Sequence, residues 1–278
     1  MRVVDMSSKK LVRVSNRLFD QLRPIKITYN AFGYAAGTVL FELGQTKLLC
    51  AVSMQQGVPH FLKGTRTGWL MAEYAMLPMS THIRSPREAV AQRRNGRSTE
   101  ISRLIGRVLR SIVRLDSIGE RTIVVDCDVL QADGGTRTAA ISGACLALKA
   151  AEQQWLADGM IDDSFVMDEV AAISVGMVHG EPLLDLDYAE DNIAEVDFNF
   201  ILTSSGSVIE IQGAVEQSGK IFAWHDFDNF RSLAIKGIDQ LFKAINAMNQ
   251  NVLKESVSKR ESTRPAPFFS LKNRINKN

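Results

Sequence analysis

The chain of 278 residues is 45% hydrophobic and 23% charged, the composition of a globular protein with a full core rather than of a disordered one. Its first ten residues are polar and charged, so we expect no signal peptide, and no apolar run approaches the ~18 residues of a membrane span. Cys50, Cys127 and Cys145 lie inside apolar runs, where we expect reduced core thiols rather than disulfides or a metal site. A cytoplasmic location follows as an expectation.

The charge is unevenly distributed, although the formal net charge is only +2. Residues 1–149 carry 22 Lys/Arg and 11 Asp/Glu, whereas residues 150–219 contain 15 acids and no Lys or Arg. Charge can drift along any chain. A contrast of this size nevertheless favours a basic surface for a polyanion beside an acidic part that can hold a divalent cation.

The first half of the chain predicts a hairpin, a loop and a helix. Strand-like stretches at 37–42 and 46–52 form the hairpin, and residues 81–97 form a polar, arginine-rich connection without periodicity. Apolar residues then recur at helical spacing, which predicts a helix capped by Ser98 or Thr99. Its apolar stripe consists of Ile101, Leu104, Ile105, Val108, Leu109, Ile112 and Val113.

The second half predicts a strand, two helices and four further strands. A strand at 122–130 precedes a helix at 138–156 with one apolar side, and a long helix over about 226–254 closes the core. The four strand-like runs between the two helices span residues 170–178, 183–186, 194–202 and 207–211. This mixture of hairpins and helices predicts an α+β fold with a layered α/β arrangement.

The segment Asp133-Gly134-Gly135-Thr136-Arg137-Thr138 lies between a predicted strand and a predicted helix. Adjacent glycines let several backbone N–H groups converge on one anion, and the following helix directs its positive end to the same place. Thr136 can donate a hydroxyl hydrogen bond, and Arg137 can bind two phosphate oxygens. The alternative is a glycine turn with an N-cap threonine. Arg97, at the start of the preceding helix, favours the anion site because two arginines at two helix starts can enclose one phosphate.

Residues 127–139 resemble the signature segment of the bacterial ribonuclease PH family. The resemblance runs in order from about residue 17 to residue 246. Its other motifs are Gln21-Leu22-Arg23-Pro24, residues 58–64, Gly68-Trp69 with Ala72-Glu73-Tyr74, and Glu210-Ile211-Gln212-Gly213.

The resemblance implies the ribonuclease PH fold, which is shared with a ribosomal S5-type domain, and a ring-shaped homohexamer built as a trimer of dimers. We accordingly expect one domain at 17–257, between a basic N-terminal extension at 1–16 and a basic, flexible C-terminal tail at 258–278.

The activity that the resemblance implies is phosphate-dependent 3′→5′ trimming of the 3′ ends of transfer-RNA precursors, with release of nucleoside diphosphates. By position, Asp191 and Asp197 would be the catalytic carboxylates and would hold Mg²⁺. One of them would protonate the leaving 3′ oxygen. The attacking phosphate would be bound by Arg97, Gly135, Thr136 and Arg137.

The reaction that the resemblance implies would explain the uneven charge, and it gives the basic loop a role in binding RNA. Its arginines would hold the RNA backbone, although a solvated loop is the alternative for some of them. They are Arg84, Arg87, Arg93 and Arg94. Three positions depart from the family: Met79 stands where an arginine is usual, and Ala214-Val215 stand where Thr-Ala is usual.

Four acids near the predicted carboxylates are expected to occupy solvent-facing strand and turn positions, with Asp185 the exception most worth testing. They are Asp185, Asp187, Glu190 and Glu195.

Two other functions remain open. One is a non-catalytic, RNA-binding ring subunit of an exosome-like assembly, and the other is a hydrolytic nuclease. Retention of both arginines and both aspartates argues against the first, because a scaffold has no need of them. A two-arginine anion pocket is superfluous for the second.

Overall fold

A computed structural model of the protein describes residues 13, 16–88 and 95–262, with side chains described up to residue 248. Its strands are β1 Ile25–Tyr29, β2 Gly37–Leu43, β3 Thr46–Gln56, β4 Trp69–Met76, β5 Arg121–Gln131, β6 Val170–Val178, β7 Glu181–Leu184, β8 Val196–Thr203 and β9 Val208–Val215. Its α-helices are α1 Gly96–Arg110, α2 Thr136–Ala157, α3 Tyr188–Asp191 and α4 Trp224–Ser262. Short 3-10 helices lie at His60–Leu62 and Leu115–Ile118.

The strands form two sheets. The first has the order β1-β2-β3-β5-β4 and is antiparallel except for the parallel pair β4–β5, whose crossover contains α1. The second has the order β7-β6-β8-β9 and is antiparallel throughout. The predicted hairpin is confirmed as β2 and β3, and all four strand-like runs beyond α2 form strands. The prediction of an α+β fold is therefore confirmed.

Helix α1 buries the predicted stripe from Ile101 to Leu109 completely. Its predicted cap was wrong, because the helix begins at Gly96 and the side chain of Asn95 accepts the N–H of Arg97 at 3.1 Å. Ser98 instead donates its hydroxyl to Glu88 (2.5 Å) inside the first turn.

Helix α2 contacts strands of both sheets and is buried on nearly every side, so the prediction of a single apolar side was too narrow. Small residues make this close contact possible. Gly37 on β2, for example, is where an added Cβ would lie 2.1 Å from the carbonyl oxygen of Ala147. The three cysteines are free thiols in the core, as predicted.

The chain divides into two compact units, residues 1–242 and 243–278. In the first unit, the part of α4 up to residue 242 buries Phe230, Ala234 and Leu241, and Phe230 meets an aromatic cluster around Phe198. In the second unit, the described residues 243–262 continue as helix to Ser262, and the rest of the predicted tail lies outside the described residues. Among the described helices, none has a stretch that is both long and apolar enough for a membrane crossing.

Candidate active site

One cavity of about 570 Å³ is lined by all six residues that the sequence predicted for phosphate binding and catalysis. They come from the beginnings of α1 and α2, the end of α3 and the start of β8. The six are Arg97, Gly135, Thr136, Arg137, Asp191 and Asp197. We call residues 133–137 the phosphate loop and residues 185–191 the carboxylate segment.

The phosphate loop turns through two glycines with left-handed backbone, Gly134 (φ 75°) and Gly135 (φ 63°). A Cβ on Gly134 would lie 2.6 Å from the carbonyl carbon of Asp187, so the loop and the carboxylate segment approach at a distance that only glycine allows. Gly135 is the N-cap of α2, and among the described residues no side chain caps this helix. The alternative of an N-cap threonine is therefore wrong, and the positive end of α2 faces the cavity without an internal acceptor.

Thr136 is held by a residue to which sequence reasoning gave no role. The hydroxyl of Tyr74, which is 4% exposed, donates to Thr136 Oγ1 at 3.0 Å. Burial raises the pKa of this tyrosine, so it stays a donor. Because Thr136 Oγ1 accepts this bond, the hydroxyl proton of Thr136 is left for another acceptor. Tyr74 lies in a motif that resembled the family, but no local pattern indicated this contact.

Arg137 is fixed by two side chains from different elements. Its Nη2 donates to Glu100 of α1 at 2.8 Å, and its Nη1 donates to Gln212 of β9. Gln212 in turn donates to Glu210, which forms a bidentate pair with Arg107 (2.7 and 2.8 Å). The guanidinium therefore has a defined orientation before any ligand binds. Glu100 and Gln212 were not predicted as functional residues, because their partner lies on another element.

The two aspartates line the same cavity as Arg97 and Arg137. Burial and, to a smaller extent, the charges of Asp191 and Glu216 together raise the pKa of Asp197 to about 6, whereas Arg137 opposes the shift. Partial desolvation also raises the pKa of Asp191, and Arg97 opposes it. Asp197 Oδ1 is buried and has no hydrogen-bond partner among the described residues. The site therefore holds negative charge that its own groups do not fully compensate.

The carboxylates fit the predicted Mg²⁺. A buried carboxylate oxygen without a partner, beside a second carboxylate, is a donor set of the kind that Mg²⁺ takes, and a cation there would offset their repulsion. Within the described part of the chain, no group of three or more His, Cys, Asp or Glu side chains could hold a metal. The remaining ligands of such an ion would be waters or substrate oxygens, as is usual for Mg²⁺.

The expectation that the neighbouring acids face solvent was wrong. Asp185 is 1% exposed and Glu190 is 5% exposed. Asp187 caps α3 in a capping box with Glu190, and Glu195, which is half-buried, pairs with Lys220 at 3.1 Å. The partners of the two buried acids are arginines from the N-terminal part of the chain, which no local pattern reveals. These ion pairs join Arg13 to Glu190 (2.6 Å) and Arg23 to Asp185 (2.7 Å).

Part of the predicted RNA-binding loop is described. Arg84 and Arg87 are exposed, whereas Arg93 and Arg94 lie outside the described residues. Met79 is 66% exposed, and Ala214 lines the cavity. The RNA-binding role of these arginines stays a prediction.

Two family models match the chain: "3' exoribonuclease family, domain 1" at residues 21–153 and "3' exoribonuclease family, domain 2" at residues 159–219. The first range contains the five-stranded sheet with α1 and most of α2, and the second contains the four-stranded sheet.

Solved structures share the fold. A chain of the Archaeoglobus fulgidus exosome with RNA bound to the active site is 21% identical with a TM-score of 0.69, covering 84% of this chain and 92% of that chain. Rrp46 from rice (Oryza sativa) is 22% identical with a TM-score of 0.68, and the match covers 86% of this chain and 100% of the rice chain. A chain of an archaeal exosome core is 21% identical with a TM-score of 0.65, and the match covers 82% of this chain and 89% of the exosome chain. The predicted ribonuclease PH fold is thereby confirmed.

Asp197→Asn should stabilise the protein in Mg²⁺-free buffer. The folded-state pKa of Asp197 is raised to about 6, so the ionised side chain opposes folding as pH rises through that value. The gain should be largest near pH 8, on the order of 2–3 kcal/mol, and should vanish near pH 4.

Thermal and urea unfolding at both pH values measure this effect. Asp162→Asn, at an exposed loop position, is the matched control and should leave stability unchanged. Equal stability of Asp197→Asn and the wild type at pH 8 would contradict the electrostatic description of the site.

Proposed function

The chain belongs to the 3′ exoribonuclease family of ribonuclease PH, and we propose that it is a phosphate-dependent 3′→5′ exoribonuclease that releases nucleoside diphosphates. The observation that carries the proposal is one cavity lined both by residues at two helix N-termini, which we call the anion-binding wall, and by two aspartates. Phosphorolysis needs both parts, because inorganic phosphate has to attack a phosphodiester that is itself negatively charged.

The anion-binding wall would hold the attacking phosphate. The backbone N–H groups at the start of α2 and the Thr136 hydroxyl supply neutral donors, while Arg97 and Arg137 supply positive charge. Because Glu100 and Gln212 already orient Arg137, little reorganisation is needed when phosphate binds. The two arginines offset the repulsion between the two anions.

The two aspartates would act on the scissile bond. Asp191 and Asp197 would hold Mg²⁺, which when bound offsets the charge that develops on the scissile phosphate. A carboxyl of this pair gives its proton to the leaving 3′ oxygen of the shortened RNA. The phosphate oxygen forms the new bond to phosphorus as the bond to the 3′ oxygen breaks, so the products are a nucleoside diphosphate and an RNA one nucleotide shorter.

We further propose that the substrates are transfer-RNA precursors, that Arg84, Arg87, Arg93 and Arg94 hold the RNA backbone, and that the chain acts in the cytoplasm as a homohexamer. The exposure of Arg84 and Arg87 supports the RNA contact, which would weaken as salt rises. The transfer-RNA preference rests on family resemblance.

The proposal is tested by incubating the protein with a 3′-extended transfer RNA and Mg²⁺, with and without inorganic phosphate. We expect nucleoside diphosphates only when phosphate is present. Nucleoside monophosphates without phosphate would indicate a hydrolytic nuclease. RNA binding without any product would indicate the non-catalytic ring subunit.

Arg137→Ala should lower phosphorolysis at least about a hundredfold, because it removes a charged donor from the reacting phosphate. Binding of RNA, measured by fluorescence anisotropy without phosphate, should stay close to that of the wild type. Arg103→Ala, which removes an equal charge from an exposed position on α1, is the control and should retain activity. An equal loss of RNA binding and turnover in Arg137→Ala would argue against a phosphate-specific role.

A further inference from the structure

Arg23, in the motif Gln21-Leu22-Arg23-Pro24, lies between the phosphate loop and the carboxylate segment. Its side chain is nearly fully buried, at 4% exposed, and it does not line the cavity. Arg23 has no direct role in the proposed chemistry. Its N–H groups nevertheless donate to both the phosphate loop and the carboxylate segment, which carry the proposed catalytic groups.

Toward the phosphate loop, Arg23 binds main-chain oxygens. Its Nη1 donates to the carbonyl oxygen of Asp133 (2.5 Å), and both Nη atoms lie 3.4 to 3.5 Å from the carbonyl oxygen of Gly134. A second residue, Thr46, holds the same stretch: it accepts the N–H of Asp133 at 3.0 Å and donates to the Gly134 carbonyl at 2.7 Å. The residues that follow directly are Gly135, Thr136 and Arg137.

Toward the carboxylate segment, Arg23 binds one acid through three donors. Nε and the backbone N–H reach Asp185 Oδ2 (3.0 and 2.7 Å), and Nη2 reaches Oδ1 (2.7 Å). Asp185 has a left-handed backbone (φ 56°), which is uncommon for a residue with a side chain and is maintained only where the surroundings fix it. Asp185 begins the segment that ends at Asp191.

We propose that Arg23 is a positioning residue that fixes the phosphate loop relative to the carboxylate segment, and so fixes the attacking phosphate relative to the aspartates. The inference rests on the proposed function for its catalytic consequence. Its structural part stands on the contacts of Arg23 alone.

Two physical reasons favour positioning over stability alone. Desolvation of two buried charges offsets much of their attraction, so a buried ion pair adds little net stability over apolar residues of similar size. A guanidinium, in contrast, presents several donors in one rigid plane and can hold three partners at fixed mutual positions. A lysine could keep the charge beside Asp185, but its single nitrogen cannot reach both segments in this geometry.

Arg23→Lys is the primary test. We expect the KM for phosphate to rise on the order of tenfold and kcat to fall by a similar factor, because the phosphate loop and the carboxylate segment shift relative to each other. Glu152→Ala is the stability control: Glu152 accepts three hydrogen bonds from residues 164–166, about 24 Å along α2 from Thr136. It should lower the unfolding temperature but leave both kinetic constants unchanged.

Hydrogen exchange of the full-length protein tests the positioning without reference to activity. Arg23→Lys should speed amide exchange in both 133–137 and 185–191, on the order of tenfold. Thr46→Val removes two hydrogen bonds to the loop and one long contact from Arg23 Nη1 (3.5 Å), but none to the carboxylate segment. It should therefore speed exchange in 133–137 and leave 185–191 unchanged. Faster exchange in only one segment of Arg23→Lys, or kinetic constants equal to those of the wild type, would overturn the inference.

The remaining outcomes are also decisive. If the wild type shows no phosphate-dependent activity, the proposed function fails, while the exchange pattern still decides whether Arg23 joins the two segments. If Arg23→Lys does not fold, Asp185→Asn is used in its place. Asparagine has nearly the same shape as aspartate but lacks the negative charge that binds Arg23. Faster exchange in both segments of Asp185→Asn would support the inference, and an effect confined to 185–191 would contradict it.

Discussion

Helix α2 lies between the two sheets and is buried along most of its length, so its position cannot change without opening a packed interface on either side. The first residues of this helix belong to the phosphate loop. Strand β6, which contacts the helix, pairs with β8, and β8 carries Asp197. Sheet packing therefore determines where the positive end of the helix lies relative to Asp197 on β8. Small residues along α2 and Gly37 on β2 permit the close contact.

Around this fixed helix end, the site keeps charges that oppose folding. Among the described residues, Asp197 has a buried oxygen without a hydrogen-bond partner, and its pKa is raised to about 6. The negative charges of Asp191 and Glu216 repel its ionised form and contribute to this shift. Such an arrangement persists only where the surrounding packing stabilises it, and it is the usual signature of a functional site. Here the arginines and the positive helix end line the same cavity, so a phosphate and a divalent cation would each offset a charge that the protein leaves uncompensated.

The sequence alone predicted what depends on local pattern. Strand-like runs located seven of the nine described strands, whereas β1 and β4 were not predicted. The stripe on α1 was buried as expected, and Gly134-Gly135 marked the turn that precedes α2. The partners that complete the site could not be found in this way. Asp185 and Glu190 looked like solvent-facing acids because their arginines are more than 160 residues away along the chain. Tyr74, Glu100 and Gln212 likewise act through contacts between elements. Helix α2 was predicted to have one apolar side, whereas strands of both sheets bury it on nearly every side.

The central claim is that inorganic phosphate is the nucleophile. The most direct test is turnover of a 3′-extended RNA in oxygen-18-labelled phosphate, followed by mass spectrometry of the released nucleotides. The account predicts that the label appears in the terminal phosphate of nucleoside diphosphates. Unlabelled nucleoside monophosphates, formed at the same rate whether or not phosphate is present, would contradict it.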